Sequence, residues 1–248
     1  MKWIMAFFAA VALLLFYPFK KGVHFSKEIL QEVLEGEGCP LGWEVKGTLK
    51  YLAHGGEAIA FETEDGKYVV KFVTTHQVLQ RMQHKPKKRI REWLHYSNKV
   101  RGGQETLKRY EKGFEALQEE TGIVAIHVYS SQEVLPPCRV IDYRGRQHEI
   151  DMNKAAFIVQ KKGELITKHT ASEKLMKLKK LFQAISQKGF VSESGIFNPH
   201  NFAIVEDKAI IIDLGKLKYA PEISGKDEEE RLHARYSKWA SHKQKVDW

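Results

Sequence analysis

Residues 201–215, NFAIVEDKAIIIDLG, put an amide and a carboxylate near the two ends of one short hairpin. Asn201 precedes an apolar strand, and Asp213 follows Ala209-Ile210-Ile211-Ile212. Four consecutive apolar residues bury a strand, so Asp213 is expected to emerge at its end toward a cleft. An amide oxygen and a carboxylate are hard donors. They suit Mg²⁺, which takes one or two protein oxygens and completes its shell with water and substrate phosphates. Asp213 could also serve only as the cap of the turn at Gly215.

Phosphates call for cations and backbone N–H groups. The segments LAHGGEAIAF and YVVKF read as strands joined by a Gly-containing turn, with a lysine on the following strand. Such an arrangement can lay N–H groups over phosphates and set an ammonium beside them. An ordinary hairpin with a lysine at a strand end would carry the same residues. The spacing favours chemistry: with the loop read as Ala53-x-Gly55-x-x-Ala58-x-Ala60, and Gly56 inside it, Lys71 falls where a phosphate-binding lysine is expected. A lysine turned toward the interior needs a carboxylate. Glu111 lies at the edge of a helical apolar face formed by Tyr110, Phe114 and Leu117, and Glu92 and Glu115 compete with it.

The elements that must position these groups follow from periodicity and turn chemistry. Residues 24–46 include an amphipathic helical pattern, FSKEILQEVLEG, capped by Ser26. From Lys46 the pattern becomes short strands, VKGTLKYLA, AIAFET and KYVVKFV, with a hairpin turn at Asp65-Gly66. A long helical stretch, interrupted at Gly102-Gly103, resumes as QETLKRYEKGFEALQEE and stops at Gly122. IVAIHVYS reads as a strand, RVIDYRGRQHEIDM as a hairpin about Arg144-Gly145, and AAFIVQKKG as a buried strand. Leu175, Leu178, Leu181, Phe182 and Ile185 recur at helical spacing. A hairpin turning at Glu206-Asp207 and a charged helix complete the chain. The class is α+β, with a mostly antiparallel first half.

With these residues in this order, the segment from about Leu49 to Leu217 resembles the protein-kinase-like superfamily. AHGGEA stands for the Gly-rich loop, VVKF for the strand lysine, Glu111 for the helix glutamate, NPHNF for the catalytic-loop asparagine and DLG for the metal-binding aspartate. The resemblance implies a two-lobed fold: an antiparallel N-lobe sheet over about 46–161 and a reduced helical C-lobe over about 162–248. It implies ATP and Mg²⁺ as cofactors, with the adenine near Val159 to Lys161. Lys71 would contact the phosphates, Glu111 would orient Lys71, and Asn201 with Asp213 would hold the metal.

The departures bear on activity. The family's proton-accepting aspartate lies five positions before the asparagine, and that position is Ile196. Asn198 is a poor base, and Glu193 reaches the site only if the loop bulges. Ala53 and Ala58 replace two glycines, and their methyl groups restrict φ and the approach to phosphate. The short chain beyond Asp213 is closer in economy to small bacterial kinases of lipopolysaccharide sugars than to a Ser/Thr protein kinase. The expected function is therefore a nucleotide-binding pseudokinase or scaffold with a protein partner. One alternative is a divergent phosphotransferase acting on a protein, saccharide or lipid hydroxyl. The other is a basic membrane-surface protein that binds no nucleotide.

Bulk properties constrain the setting. Of 248 residues, 43% are hydrophobic and 29% charged, which fits a folded protein and excludes a disordered one. The two cysteines, Cys39 and Cys138, form no C-x-x-C motif and suggest no disulfide framework. The net charge of +9 is concentrated in residues 81–101, including Arg81, Lys85, Lys87, Lys88, Arg89 and Arg91. That segment is either a solvated helix face or a contact for anionic lipid or a phosphate-rich partner. Sparse aromatics and the lack of a nucleic-acid motif argue against nucleic acid.

Residues 1–21 carry WIMAFFAAVALLLFYPF between Lys2 and Lys20-Lys21, an uncharged run just long enough to cross a bilayer as a helix. Bulky Phe16-Tyr17-Pro18-Phe19 argues against signal cleavage, and the flanking lysines lean toward a single-pass anchor with a cytoplasmic domain. Fractionation with protease protection checks this: the full chain should stay with membranes and be digested from the cytoplasmic side. A soluble mature chain beginning near residue 20 would refute it.

Overall fold

The computed structural model describes residues 44–55, 58–74, 105–129, 134–166, 172–192, 201–223 and 225–232, with residues 30, 33 and 234. The expected anchor (1–21), the interruption at Gly102-Gly103 and the basic segment 81–101 lie outside them, as does most of 22–45. Leu30 forms an isolated antiparallel bridge with Thr74, a strand-like contact where the sequence pattern suggests a helix. Among the described residues, no helix is long and apolar enough to cross a membrane.

The first three strands are β1 (Thr48–His54), β2 (Ala58–Glu62) and β3 (Tyr68–Val73), of which β2 alternates in burial. Ile59 and Phe61 of β2 point inward, whereas Val69, Val70, Phe72 and Val73 of β3 are all buried, as befits a central strand covered on both faces. The β2–β3 turn falls at Asp65-Gly66 as expected. Thr63 accepts at its carbonyl from the Gly66 N–H (2.9 Å), and its hydroxyl donates to the Asp65 carboxylate (2.7 Å).

The next helical stretch is divided at Leu117 into α1 (residues 105–116) and α2 (Gln118–Thr121). Gly122 ends it in the left-handed conformation, φ 64°, a cap that glycine adopts without a Cβ penalty. Then follow β4 (Ile123–His127), the hairpin β5 (Cys138–Ile141) and β6 (Gln147–Ile150), and β7 (Phe157–Lys161). Asp142 knits the hairpin turn, accepting from the N–H groups of Arg144 and Arg146 and pairing with His148 at 2.9 Å.

These seven strands form one sheet in the order β4-β7-β3-β2-β1-β5-β6. The expectation of an antiparallel sheet needs one correction, because β5 pairs parallel to β1. The chain leaves β4 at one edge and enters β5 on the far side of β1, running in the same direction. Local patterning reports strand existence but not the partner across a crossover.

The second half comprises β8 (Glu164–Leu165), α3 (Ser172–Gln187), β9 (Phe190–Ser192), the hairpin β10 (Phe202–Val205) and β11 (Lys208–Ile211), β12 (Leu217–Tyr219) and α4 (residues 225–232). Two small sheets result, β11-β10-β8 and β12-β9. Strands of two or three residues carry no readable periodicity, which is why β8, β9 and β12 escape sequence patterning. The β10–β11 turn is at Glu206-Asp207 as expected, both with positive φ (46° and 70°). The whole is a mixed α+β fold with a large sheet and few helices.

Two apolar clusters hold it. One gathers Leu49, Phe61, Val70, Phe72, Phe157 and Met152, with edge-on rings of Phe61 and Phe72 at 5.7 Å. The other joins α1, α3 and the small sheets through Leu107, Leu178, Phe182, Phe202, Ile211 and Leu214. Of the apolar positions expected on α3, Leu178, Leu181, Phe182 and Ile185 are buried in it, and the Leu175 side chain is outside the described ones.

His127 stacks on Phe157 at 5.1 Å, and its Nε2 is buried with no hydrogen-bond partner among the described residues. Burial holds its pKa below the ordinary imidazole value, against a weaker backbone hydrogen bond to Asn153. The unfolded chain therefore takes up a proton at higher pH than the folded one, and stability falls as pH drops below about 6.5. Chemical denaturation at pH 7.5 and 5.5 should show this loss in the wild type and a smaller loss in His127→Gln.

Candidate functional site

The hairpin β10–β11 aligns the two hard donors. Phe202 pairs with Ile211, and the ladder extends one step further, with the Ile212 N–H donating to the Asn201 carbonyl at 2.8 Å. Asn201 and Asp213 thus sit at the same end of the hairpin. Asn201 is 6% exposed. Asp213 opens a 3₁₀ turn over Leu214–Lys216, and its Oδ1 accepts from the Gly215 N–H at 3.0 Å. The cap role and a ligand role are compatible, because a carboxylate has acceptor capacity beyond one such bond.

Lys71 arrives from the large sheet. On β3 it lies between Ala60 of β2 and Ile158 of β7, and its Nζ donates to the Ile212 carbonyl, next to Asp213. The residue keeps partial surface exposure while its ammonium is densely surrounded. Desolvation brings its pKa down to about 8, and the negative charge of Asp213 opposes that fall. At neutral pH the group remains a cation, bonded to a carbonyl 141 residues away and within the field of the adjoining Asp213 carboxylate.

Glu111 is on α1, and its carboxylate accepts from the Tyr129 hydroxyl at 2.8 Å. That bond is the main reason the Tyr129 phenol is held above its usual pKa. Among the described residues no ion pair joins Glu111 to Lys71. Glu115 pairs with Lys112 at 3.7 Å in solvent, and Glu92 lies outside the described residues. The carboxylate whose charge Lys71 senses is that of Asp213.

At the end of β1, the Gly55 N–H donates to the Ala58 carbonyl at 2.8 Å, and Ala53 pairs with Ala60 across a register shift after Tyr51. Gly56 is outside the described residues. Val159 is fully buried in the sheet core. Lys161 donates its backbone N–H to Gly122 (2.8 Å) and places its ammonium 3.0 Å from Glu206. Between them Gln160, which sequence reasoning did not single out, donates from Nε2 to the carbonyls of Thr121 and Ile211. It straps the large sheet to the hairpin.

Ile196, Asn198 and Glu193 lie within 193–200, outside the described residues. The strand that leads into them is held firmly. The Ser192 N–H donates to the buried carboxylate of Glu228 on α4 (2.7 Å), and Arg231 pairs with Glu228 and donates to Ser192. Among the described residues no group of three His, Cys, Asp or Glu side chains is assembled.

Two contacts tie α1 to the Asp213-Leu214-Gly215 turn. Arg109 Nη1 donates to the Gly215 carbonyl at 2.9 Å. Gly113 faces Leu214 so closely that a Cβ there would lie 2.7 Å from Leu214 Cδ1. The sequence holds no signal for Arg109. Gly113 does leave one, since glycine within a helix costs about 1 kcal/mol relative to alanine and invites a packing reason.

The donor set at this end of the hairpin is one amide, one carboxylate and a nearby ammonium. Its oxygens fit a hard divalent cation, and its ammonium fits a phosphate. No protein-family profile and no curated protein sequence matches the chain. Among solved structures it is similar to the 2.2 Å crystal structure of WbdD, with 16% identity and a TM-score of 0.43. The match covers 75% of this chain and 35% of that one, so the chain spans about a third of the length of WbdD.

A densely surrounded ammonium should cost stability. Lys71 has a folded pKa near 8 against an ordinary value of 10.5, so the unfolded chain binds the proton more tightly. Wild-type stability should rise between about pH 8 and pH 10 as the folded state's disadvantage is removed. Lys71→Met should lack that rise and, at pH 7, unfold within about 1 kcal/mol of the wild type or later, by urea denaturation.

Proposed function

We propose that the chain is a kinase-like protein that binds ATP with Mg²⁺ and lacks ordinary phosphotransfer activity, serving as a pseudokinase or scaffold anchored to a membrane through residues 1–21. The large sheet would be the N-lobe and the helix-and-hairpin half the C-lobe, with nucleotide between them. The observation that carries the reading is the approach of Lys71 to the Ile212-Asp213 segment. A cation from the sheet meets the Ile212 carbonyl beside Asp213, at the hairpin end that also carries Asn201, and this order of elements supports reading it as a phosphate-handling site.

In this reading Lys71 neutralises phosphate charge, and burial strengthens that contact by thinning the water around the ammonium. Asn201 and Asp213 hold the Mg²⁺, which supplies charge neutralisation to the phosphates when bound. The backbone around Gly55 and Gly56 lies over the phosphates, with Ala53 and Ala58 limiting how closely. Ile196 leaves the loop without a proton acceptor at the usual position, the basis for the non-catalytic assignment. Glu111 orients Lys71 only after exchanging its Tyr129 partner. The basic segment 81–101 would meet anionic lipid beside the anchor.

Thermal unfolding with and without nucleotide tests the reading. At a hundredfold its dissociation constant, ATP with Mg²⁺ should add about 2.7 kcal/mol of stability. Lys71→Ala and Asp213→Ala should lose most of that gain and remain folded. No shift at millimolar ATP refutes nucleotide binding. Robust phosphotransfer by the wild type, abolished by Asp213→Ala, refutes the non-catalytic assignment and shows that the loop works without an aspartate at 196.

A further inference from the structure

We infer that Arg109 is a positioning residue for the metal-binding carboxylate, acting on Asp213 through Gly215. The inference rests on the proposed nucleotide and Mg²⁺ site and adds a residue that the sequence pattern does not assign.

Little of the turn is left free. Behind Asp213, the Ile212 N–H is committed to Asn201, and the Ile212 carbonyl accepts from Lys71. Ahead of it, Leu214 is 2% exposed and packs into the apolar cluster that includes Leu107 and Tyr110 of α1. Gly215 is then gripped at both of its polar groups. Its N–H donates to Asp213 Oδ1 at 3.0 Å, and its carbonyl accepts from Arg109 Nη1 at 2.9 Å.

The N–H of Gly215 fixes one carboxylate oxygen, so its direction determines where the other oxygen points. Arg109 fixes the carbonyl of the same residue and so resists rotation of the turn that carries that N–H. A charged donor makes a stronger bond here than a neutral one would. Gly113, one turn further along α1, sets the distance: with no side chain it lets Leu214 approach as closely as it does. The pairing spans 106 residues of chain, so it is a tertiary contact with no local reason to exist. Arg109 is half-buried, and its bond goes to the Gly215 carbonyl, so through that bond it acts on Asp213 indirectly.

A cation placed by Asp213 feels this constraint, whereas nucleotide held by Lys71 and the loop at Gly55 does not. The test therefore separates the two. ATP affinity is measured by calorimetry in EDTA, and Mg²⁺ affinity by titrating the metal into ATP-saturated protein, for wild type, Arg109→Ala, Arg109→Lys and Gly113→Ala. Arg109→Ala should weaken Mg²⁺ about tenfold, the worth of one charged hydrogen bond, and leave ATP affinity in EDTA within about twofold. Arg109→Lys, which keeps a cationic donor, should recover part of the metal affinity. Gly113→Ala, which displaces Leu214 without removing the bond, should weaken Mg²⁺ in the same selective way and serves as the second probe if Arg109→Ala does not fold.

Equal losses with and without metal would overturn the inference and make Arg109 a stability residue. Unchanged Mg²⁺ affinity in both Arg109→Ala and Gly113→Ala would also overturn it. A wild type that binds no ATP removes the nucleotide reading and this inference together, an outcome distinct from either.

Discussion

The hydrogen bond from the Lys71 ammonium to the Ile212 carbonyl is the contact on which the site depends. It joins an interior strand of the large sheet to the end of the β10–β11 hairpin, two parts of the chain that share no ladder. An ammonium surrounded by protein is costly unless its donors are used and a counter-charge is near. One short segment supplies a partner for one of its donors, the Ile212 carbonyl, and the counter-charge, the Asp213 carboxylate. The cost is still visible, because desolvation outweighs the carboxylate and leaves the lysine with a pKa near 8.

Other contacts reinforce the same junction. Gln160, a buried amide on β7, donates to carbonyls at the end of α2 and on β11, so the strand next to Lys71 is itself strapped to the hairpin. Buried amides left unsatisfied cost about 1–3 kcal/mol, so this strap favours one relative placement of sheet and hairpin over others. Helix α1 adds a third connection through Arg109 and the close approach of Gly113 to Leu214. The turn at Asp213 is thereby held by a strand, a strap and a helix, each from a different part of the chain.

The helix glutamate shows how a local reading can name a residue and leave its partner open. Glu111 is on a helix, at the edge of the apolar face marked by Tyr110 and Leu117, as its spacing indicates. Its carboxylate is bonded to Tyr129, a residue just past β4 whose hydroxyl no periodicity argument brings to that helix. A carboxylate with a hydrogen-bond donor 2.8 Å away is satisfied, and moving it to Lys71 requires breaking that bond.

The sequence by itself determined the elements whose signals are local. The strand β2 follows from alternation, β1 and β3 from strand-forming residues between turn signals, the turn at Asp65-Gly66 from its residue pair, the end of α2 from Gly122, and the buried face of α3 from Leu178, Leu181, Phe182 and Ile185. It also placed Asn201 and Asp213 together, since a hairpin with a two-residue turn has its register set by that turn. Only the tertiary structure decided what crosses between elements: the parallel pairing of β5 with β1, the short strands β8, β9 and β12, and the partners of Lys71, Glu111 and Arg109. The reason is range. Helix and strand periodicities and turn geometry are set by neighbours within a few residues. A hydrogen bond spanning 106 or 141 residues depends on how separate apolar faces pack, which no short stretch of sequence encodes.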